Sequence, residues 1–348
     1  MFMFTTPDPK LKTVDDAPKT GMRVVRLLFK YNAVLILIIM FIAATFMSEY
    51  FLTPENMYNV LRQQSSFMLV GLGMLMVMLT GGIDLSVSST VTVSSIMVCH
   101  CLKPLLFQNQ AWGLFASIVI AILVGFCFGC ANGFFVSVLN MPAFIVTLAM
   151  MYAGRGIAFI ITDANTILLD QLIPANEVYV SFATGADPLF RIPFPSYLMI
   201  ALIIVVGLVL HFTAFGRLIT AVGSNETAVQ LAGINSKKYK FWAYALCGAL
   251  CGVAGVILAA RTGSATALST SVSYDMTSIA AVVIGGASLK GGEGNVPMTV
   301  VRIFVLAIIG NIMNLVGVAV YPQLVVKAVI IILAVLLKSI SSRRTELI

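Results

Sequence analysis

Few residues in this 348-residue chain have the means to do chemistry, and their placement narrows what kind. The two histidines and six cysteines lie scattered in apolar sequence, with no carboxylates near enough to complete a metal centre or a catalytic cluster. Cys127 and Cys130, and Cys247 and Cys251, sit at helical spacing and read as small packing residues. The carboxylate that stands out is Asp84, in Gly81-Gly82-Ile83-Asp84-Leu85-Ser86. No charge precedes it from Phe67 to Thr80, and none follows from Leu85 to Cys99. A charge that deep in a membrane costs about 2.5–3.5 kcal/mol on insertion scales, so it needs partners, water or a purpose. Paired glycines that interrupt apolar segments are also how transporters turn backbone groups toward a polar solute inside the bilayer. The chemistry implied is hydrogen bonding to something that passes.

The elements that must hold these groups are membrane spans. Hydrophobic residues make up 59% of the chain and charged residues only 10%, with a mean hydropathy of +1.01; soluble domains carry about 25% charged residues. The expected fold class is all-α, a polytopic integral membrane protein of about ten transmembrane helices, some broken or re-entrant. Apolar stretches fall near 33–47, 64–80, 85–102, 111–131, 142–161, 197–215, 241–260, 275–289, 301–316 and 323–338. Several are shorter than the ~20 residues a straight span needs. Residues 33–338 read as one transmembrane domain between cytoplasmic tails at 1–32 and 339–348. No cleavable leader is expected, because the first apolar run begins only at Ala33, behind a basic tail. Arg23–Lys30 reads either as a short interfacial helix or as an extension of the first span.

The net charge of +7 is dispersed and flanks apolar runs, which fits positive-inside topology rather than nucleic-acid binding. With ten spans and an internal N-terminus, the cytoplasmic side takes Lys10, Lys12, Lys19, Arg23, Arg26 and Lys30 of the tail. It also takes Arg217, Lys237, Lys238, Lys240, Lys290, Arg302, Lys338, Arg343 and Arg344. Only Arg62, Lys103, Arg191 and Arg261 fall outside, while Arg155 and Lys327 lie within spans. The external loop 162–196 carries Asp163, Asp170, Glu177 and Asp187 against Arg191 alone.

Two further segments are distinctive. In the cytoplasmic loop 216–240, Ser224 or Asn225 can cap a short helix with Glu226 in its first turn and Gly233 as its stop. Such a helix is marginal alone in water, so it reads either as a docking element or as a connector lying on the bilayer. Glycines 285, 286, 291, 292 and 294 crowd the second segment. Its Gly285-Gly286-Ala287-Ser288-Leu289 echoes Gly81-Gly82-Ile83-Asp84-Leu85, hinting at an internal duplication. No G-x-x-x-x-G-K-[ST] occurs, so the chain is not expected to bind ATP.

Taken in order, GGIDLSV followed by SST, TLAMMYAGRGIA (147–158), AVGSNETAVQLAGI (221–234) and YDMTSIAAVVIGGASLKGGEG (274–294) resemble the permease subunits of bacterial ribose-type sugar ABC importers. That family also takes up other pentoses, galactose, inositol-like polyols and the autoinducer-2 signal. Ser88 stands where the family's GGIDLSVGS has its last glycine, and Tyr274-Asp275 where it has Tyr-Glu. The resemblance implies a multi-pass protein of the bacterial inner membrane that works beside a second permease, identical or a close paralogue. It also implies cytoplasmic ATP-binding subunits that hold ATP and Mg, so that this chain binds no cofactor, and a periplasmic solute-binding protein that delivers a neutral sugar-like substrate. Gly223, Asn225, Glu226, Ala228, Leu231, Gly233 and Ile234 would then dock in a cleft of the ATPase.

Candidates for the translocation path or gate are the polar residues within spans: Asp84, Ser86, Ser94, Ser95, Asn132, Thr147, Arg155, Tyr274, Ser278, Asn311 and Asn314. Most are neutral, as suits a hydroxylated solute. Each also has a packing role open to it, since intramembrane Ser, Thr and Asn bond between helices. Asp84 and Arg155 could pair with backbone or with one another, and Tyr274 could anchor at the interface. A secondary transporter of a small polar solute is the alternative, although it should carry buried ion relays that this chain lacks beyond Asp84. No paired carboxylates or His cluster supports an intramembrane enzyme.

Overall fold

The computed structural model describes residues 32–102, 111–170, 173–268, 274–284, 286–319, 321–326, 328–330 and 332. The tails, the interfacial helix expected over Arg23–Lys30, Gly285 and Lys327 lie outside them. Helices α1 (Asn32–Met47), α2 (Pro54–Leu79), α3 (Val87–Leu102) and α4 (Ala111–Gly133) come first, and α4 runs on as a π-helical turn, Phe134–Val138. They are followed by α5 (Ala143–Thr162), α6 (Pro174–Thr184), α7 (Phe194–Phe212), α8 (Ala214–Ser224), α9 (Glu226–Leu231) and α10 (Ser236–Thr262). The described helices close with α11 (Tyr274–Ile284), α12 (Val296–Leu315) and an apolar helix over Tyr321–Ile330. Among the described residues, six helices are long and apolar enough to cross a membrane and four apolar helices are shorter, including α3 and α11, the two that adjoin the glycine-rich breaks.

Burial sorts centre from rim. Most of the apolar stretch of α2 and of α10 is buried, 78% and 83%, against 22–28% for α4, α5 and α7. Lipid tails offer no hydrophobic drive between helices, so close backbone packing must hold such a bundle. Gly125, Gly129 and Gly133 of α4 supply it against α10. A Cβ on Gly129 would stand 2.4 Å from the Tyr244 carbonyl, and one on Gly248 would stand 2.3 Å from the Gly125 carbonyl. On other sides of α10, Gly73 of α2 meets Cys247, and Gly255 meets Val91 and Ser94 of α3. α3 itself is lined with hydroxyls that bond back into their own helix. Ser89 and Thr90 bond the Ser86 carbonyl, Thr92 that of Ser88 and Ser95 that of Thr92. This satisfies them without a solute, and their small size lets Gly154 of α5 approach Ser89.

The loop expected over 162–196 is more ordered than its acidic composition suggested. Strand β1 (Ile167–Leu168) pairs antiparallel with β2 (Ser264–Ala265). Helix α6 opens on Pro174 and buries Tyr179, whose hydroxyl donates to the Val256 carbonyl of α10. Pro at the first helical position, Glu177 in the first turn and apolar Ala175, Tyr179, Val180 and Ala183 were the available signals.

Gly129→Leu is expected to lower the detergent melting temperature markedly, since overpacking costs ~1–3 kcal/mol and here the obstacle is backbone. Gly156→Leu, with nothing within 4 Å of the added Cβ, should leave it unchanged. Equal melting of the two variants would refute the α4–α10 backbone contact.

Candidate functional site: a helix break and a polar cavity

Helix α2 ends in a Schellman arrangement. Gly81 takes φ +79°, its N–H reaches the Met78 carbonyl, and the Gly82 N–H reaches that of Val77. The chain then crosses to α3 through Ile83, Asp84, Leu85 and Ser86, whose carbonyl takes the first helical bond of α3, from the Thr90 N–H at 2.8 Å. Asp84, 2% exposed, supplies its own solvation. Its Oδ1 accepts from the Ser86 N–H at 2.8 Å and from the Ser86 hydroxyl at 2.6 Å. Nδ2 of Asn132, from the end of α4, lies 3.3 Å from both carboxylate oxygens and donates to the Ser86 hydroxyl at 2.7 Å. The carboxylate also stands just before the N-terminus of α3, where the helix dipole favours negative charge. The Ile83 carbonyl takes the Tyr244 hydroxyl at 3.2 Å and lies 3.5 Å from that of Thr147, which bonds chiefly to Ala143. Asp84, Ser86, Asn132 and Thr147 are thus gathered at one break.

Arg155 is not among them. It is exposed on α5 and makes no ion pair among the described residues, so of the roles open to it the pairing with Asp84 does not form. The proposed duplication also changes register. Gly286, at φ +95°, bonds Val283, and Ala287 bonds Val282, so the structural counterpart of Gly81 is Gly286, one place beyond the sequence echo. Gly233 after α9 and Gly317 after α12 make the same arrangement. The likeness is that of shared helix-end chemistry.

A second polar group lies along α2 toward its start. Phe67 precedes Leu79 by twelve residues, a rise of about 18 Å. Near it opens a cavity of about 450 Å³, lined by Gln63, Arg261, Tyr274, Thr277, Asn311 and Asn314 among others. Tyr274 packs its ring against Phe67 at 5.4 Å. Asn311 exchanges hydrogen bonds with Asn56 at 2.7 and 3.0 Å, and Asn314 accepts from Gln323 at 2.7 Å. Ser278 bonds within α11 to the Asp275 carbonyl. Sequence reasoning passed over Asp275 as a site residue. It is buried, its N–H donates to the Ser88 hydroxyl at 2.9 Å, and that hydroxyl lies 3.0 Å from its carboxylate. Ser88 and Asp275, the two positions that depart from the motif, touch one another and tie α3 to α11.

The third group is the α8–α9 segment. Asn225, not Ser224, caps α9, its Oδ1 accepting from the Ala228 N–H at 2.9 Å. Leu231 is 85% exposed at the end of α9, with Ala228 exposed and Ile234 half-buried beside it. Glu226 turns away from that tip toward α10. It accepts from Ser236 at 2.9 Å and pairs with Lys240 at 2.5 Å. Burial raises its pKa, but hydrogen bonds from Lys240 and Ser236 and the charges of Lys240 and Lys237 outweigh it and hold the carboxyl below its ordinary value. The tie is therefore complete above the ordinary glutamate range and is lost as pH falls through the lowered value. Gly223 also faces inward, where a Cβ would strike the Leu79 carbonyl.

Asp84→Asn would set an amide NH₂ against donors that now converge on two carboxylate oxygens, and a buried unsatisfied group costs ~1–3 kcal/mol. A lower melting temperature and lower abundance are expected, measured beside uptake per molecule. Unchanged melting with lost uptake would assign Asp84 to the gate instead.

The chain matches the model of the family described as branched-chain amino acid transport system / permease component over residues 56–335. It is 34% identical over 309 residues to the ribose import permease protein RbsC of Escherichia coli K12, covering 89% of this chain and 93% of the relative. The Bacillus subtilis 168 ribose import permease protein RbsC is 36% identical over 305 residues, covering 86% and 90%. The L-arabinose transport system permease protein AraH of Escherichia coli K12 is 33% identical over 320 residues, covering 92% and 93%. No solved structure matches the chain. The motif resemblance is borne out by these matches: this chain belongs to the family of transport-system permease components.

Proposed function

We propose that the chain is the membrane-spanning permease subunit of an ABC importer that takes up a neutral sugar or sugar-like solute, with ATP hydrolysed by separate subunits. The observation that carries this reading is the α8–α9 segment. A six-residue helix is too short to hold itself in water, yet this one is capped by Asn225, closed by Gly233 and tied through Glu226 to Lys240. A rigid mount that presents Leu231 almost fully exposed serves docking to a partner rather than lying on a surface. The names of the relatives, import permeases for ribose and L-arabinose, supply the substrate class and the class of system.

In this reading ten helices cross the bacterial inner membrane, both termini are cytoplasmic, and the α8–α9 segment and the Asp84 break lie toward the cytoplasm. The bias of Lys and Arg supports that orientation. The cavity beside Tyr274 belongs to the outer half of the path, where a binding protein hands over its solute. Its carboxamides, hydroxyls and one guanidinium suit a neutral polyol, and the Tyr274–Phe67 pair offers a flat apolar wall. A second permease fits the exposed face of α5. Tyr152 and Arg155 lie there, and a bare arginine facing hydrocarbon would cost several kcal/mol, so that face turns to the solute path or to the partner copy.

In reconstituted complexes, uptake should require the ATPase and the binding protein and should be stopped by vanadate. Uptake driven by an ion gradient alone would favour the secondary transporter. Leu231→Asp should abolish copurification of the ATPase while permease abundance stays normal. Glu226→Arg, which opposes Lys240, should lower uptake at normal abundance; full uptake would refute the role of the tie.

A further inference from the structure

Three glycine-containing segments that are far apart in sequence meet backbone to backbone at the end of α2. The Gly292 N–H donates to the Leu79 carbonyl at 3.0 Å. A Cβ on Gly223, in the last turn of α8, would lie 1.9 Å from that carbonyl and 2.6 Å from the Gly292 nitrogen. A Cβ on Gly291 would lie 2.6 Å from the Gly81 nitrogen and 2.8 Å from the Gly223 Cα. Gly292 in turn abuts Ser224, the residue before the α9 cap. The turn that carries Gly291 and Gly292 is held by Ser288, whose carbonyl accepts the Gly291 N–H and whose hydroxyl accepts the Lys290 N–H.

We infer that this junction of Gly81, Gly223 and Gly291–Gly292 is the positioning element that carries displacement of the α8–α9 segment to the Asp84 break. The inference rests on the reading of α9 as the ATPase-docking helix. Side chains between moving elements take up displacement by changing rotamer, whereas backbone in direct contact passes it on. At this junction α8, the 290–292 turn and the end of α2 touch through backbone atoms of Leu79, Gly81, Gly223, Gly291 and Gly292, with the small Ser224 side chain beside Gly292. Beyond it Gly81 leads in three residues to Asp84, which is tied to α4 through Asn132. α9 and α10 are joined separately by Glu226 and Lys240, so α8 has its own route to the break.

The test uses the full ATPase–permease complex in proteoliposomes with its binding protein. Gly223→Ala, which adds a methyl group at the contact without a backbone φ penalty, should leave the ATPase copurifying. The ratio of binding-protein-stimulated to unstimulated ATP hydrolysis, and uptake per complex, should each fall about tenfold, within the 5–150-fold range of site coupling. Gly317→Ala supplies the control for strain alone, since Gly317 has φ +78° with nothing within 4 Å of an added Cβ. It should keep the ratio. A normal ratio in Gly223→Ala, or an equal loss in Gly317→Ala, would overturn the inference. If Gly223→Ala does not accumulate, Ser288→Ala decides: it adds no bulk and removes the hydroxyl that accepts the Lys290 N–H, so a reduced ratio at normal melting supports the junction and an unchanged ratio refutes it. Normal copurification in Leu231→Asp would instead remove the docking reading and leave the contact geometry untouched.

Discussion

A carboxylate withdrawn from water must be solvated by the protein that buries it, and the break between α2 and α3 is arranged around that demand at Asp84. Its donors come from Ser86, two residues on, and from a helix made later in the chain, through Asn132. Backbone freed by the break faces the same demand, because the membrane interior offers no water to replace a missing partner. Tyr244 answers it for the Ile83 carbonyl, and the Schellman bonds answer it for the end of α2. The interruption of the helix is therefore a specified conformation with its own network rather than a slack segment.

The same economy of polar groups appears throughout the core. The hydroxyls of Ser89, Thr90, Thr92 and Ser95 are spent on carbonyls of their own chain segment, so α3 presents small surface to its neighbours and packs against glycines of α5 and α10. Ser88 and Asp275 spend theirs on one another, coupling two short helices that would otherwise have little to hold them in register. Gln63, Arg261 and Thr277 bring further polar groups to the wall of the cavity beside Tyr274.

Much of this was legible in the sequence where a residue has one conformational use. The Asn225 cap and the Gly233 stop were read from local chemistry, and the structure places each in that role, while Gly81, read as a break that frees backbone for a solute, closes the end of α2. Ser224 was an equal candidate for the cap and lost because α8 runs through it. Partner choice was less legible. Nothing local tells Glu226 to face Lys240 fourteen residues on, or Arg155 to stand apart from Asp84, since both follow from how helices rotate when packed. The repeated glycines of α4 and α10 were visible at four-residue spacing, but the cysteines beside them drew the eye to a lesser feature. The second glycine pair misled by one position because identity, not backbone conformation, set the comparison.

The glycine seam between α4 and α10 also has a consequence in time. Gly125 and Gly248, which meet across it, stand 123 residues apart in the chain. During synthesis α3 and α4 reach the membrane long before α10 exists, and the groove meant for α10 is then bare of its partner. The first half already holds contacts of its own, through Asn132 to Asp84 and through Gly154 to Ser89, but the glycine face of α4 waits for its partner. Because α10 packs on α2, α3 and α4 alike, the central contacts of the bundle wait on a helix from the later part of the chain.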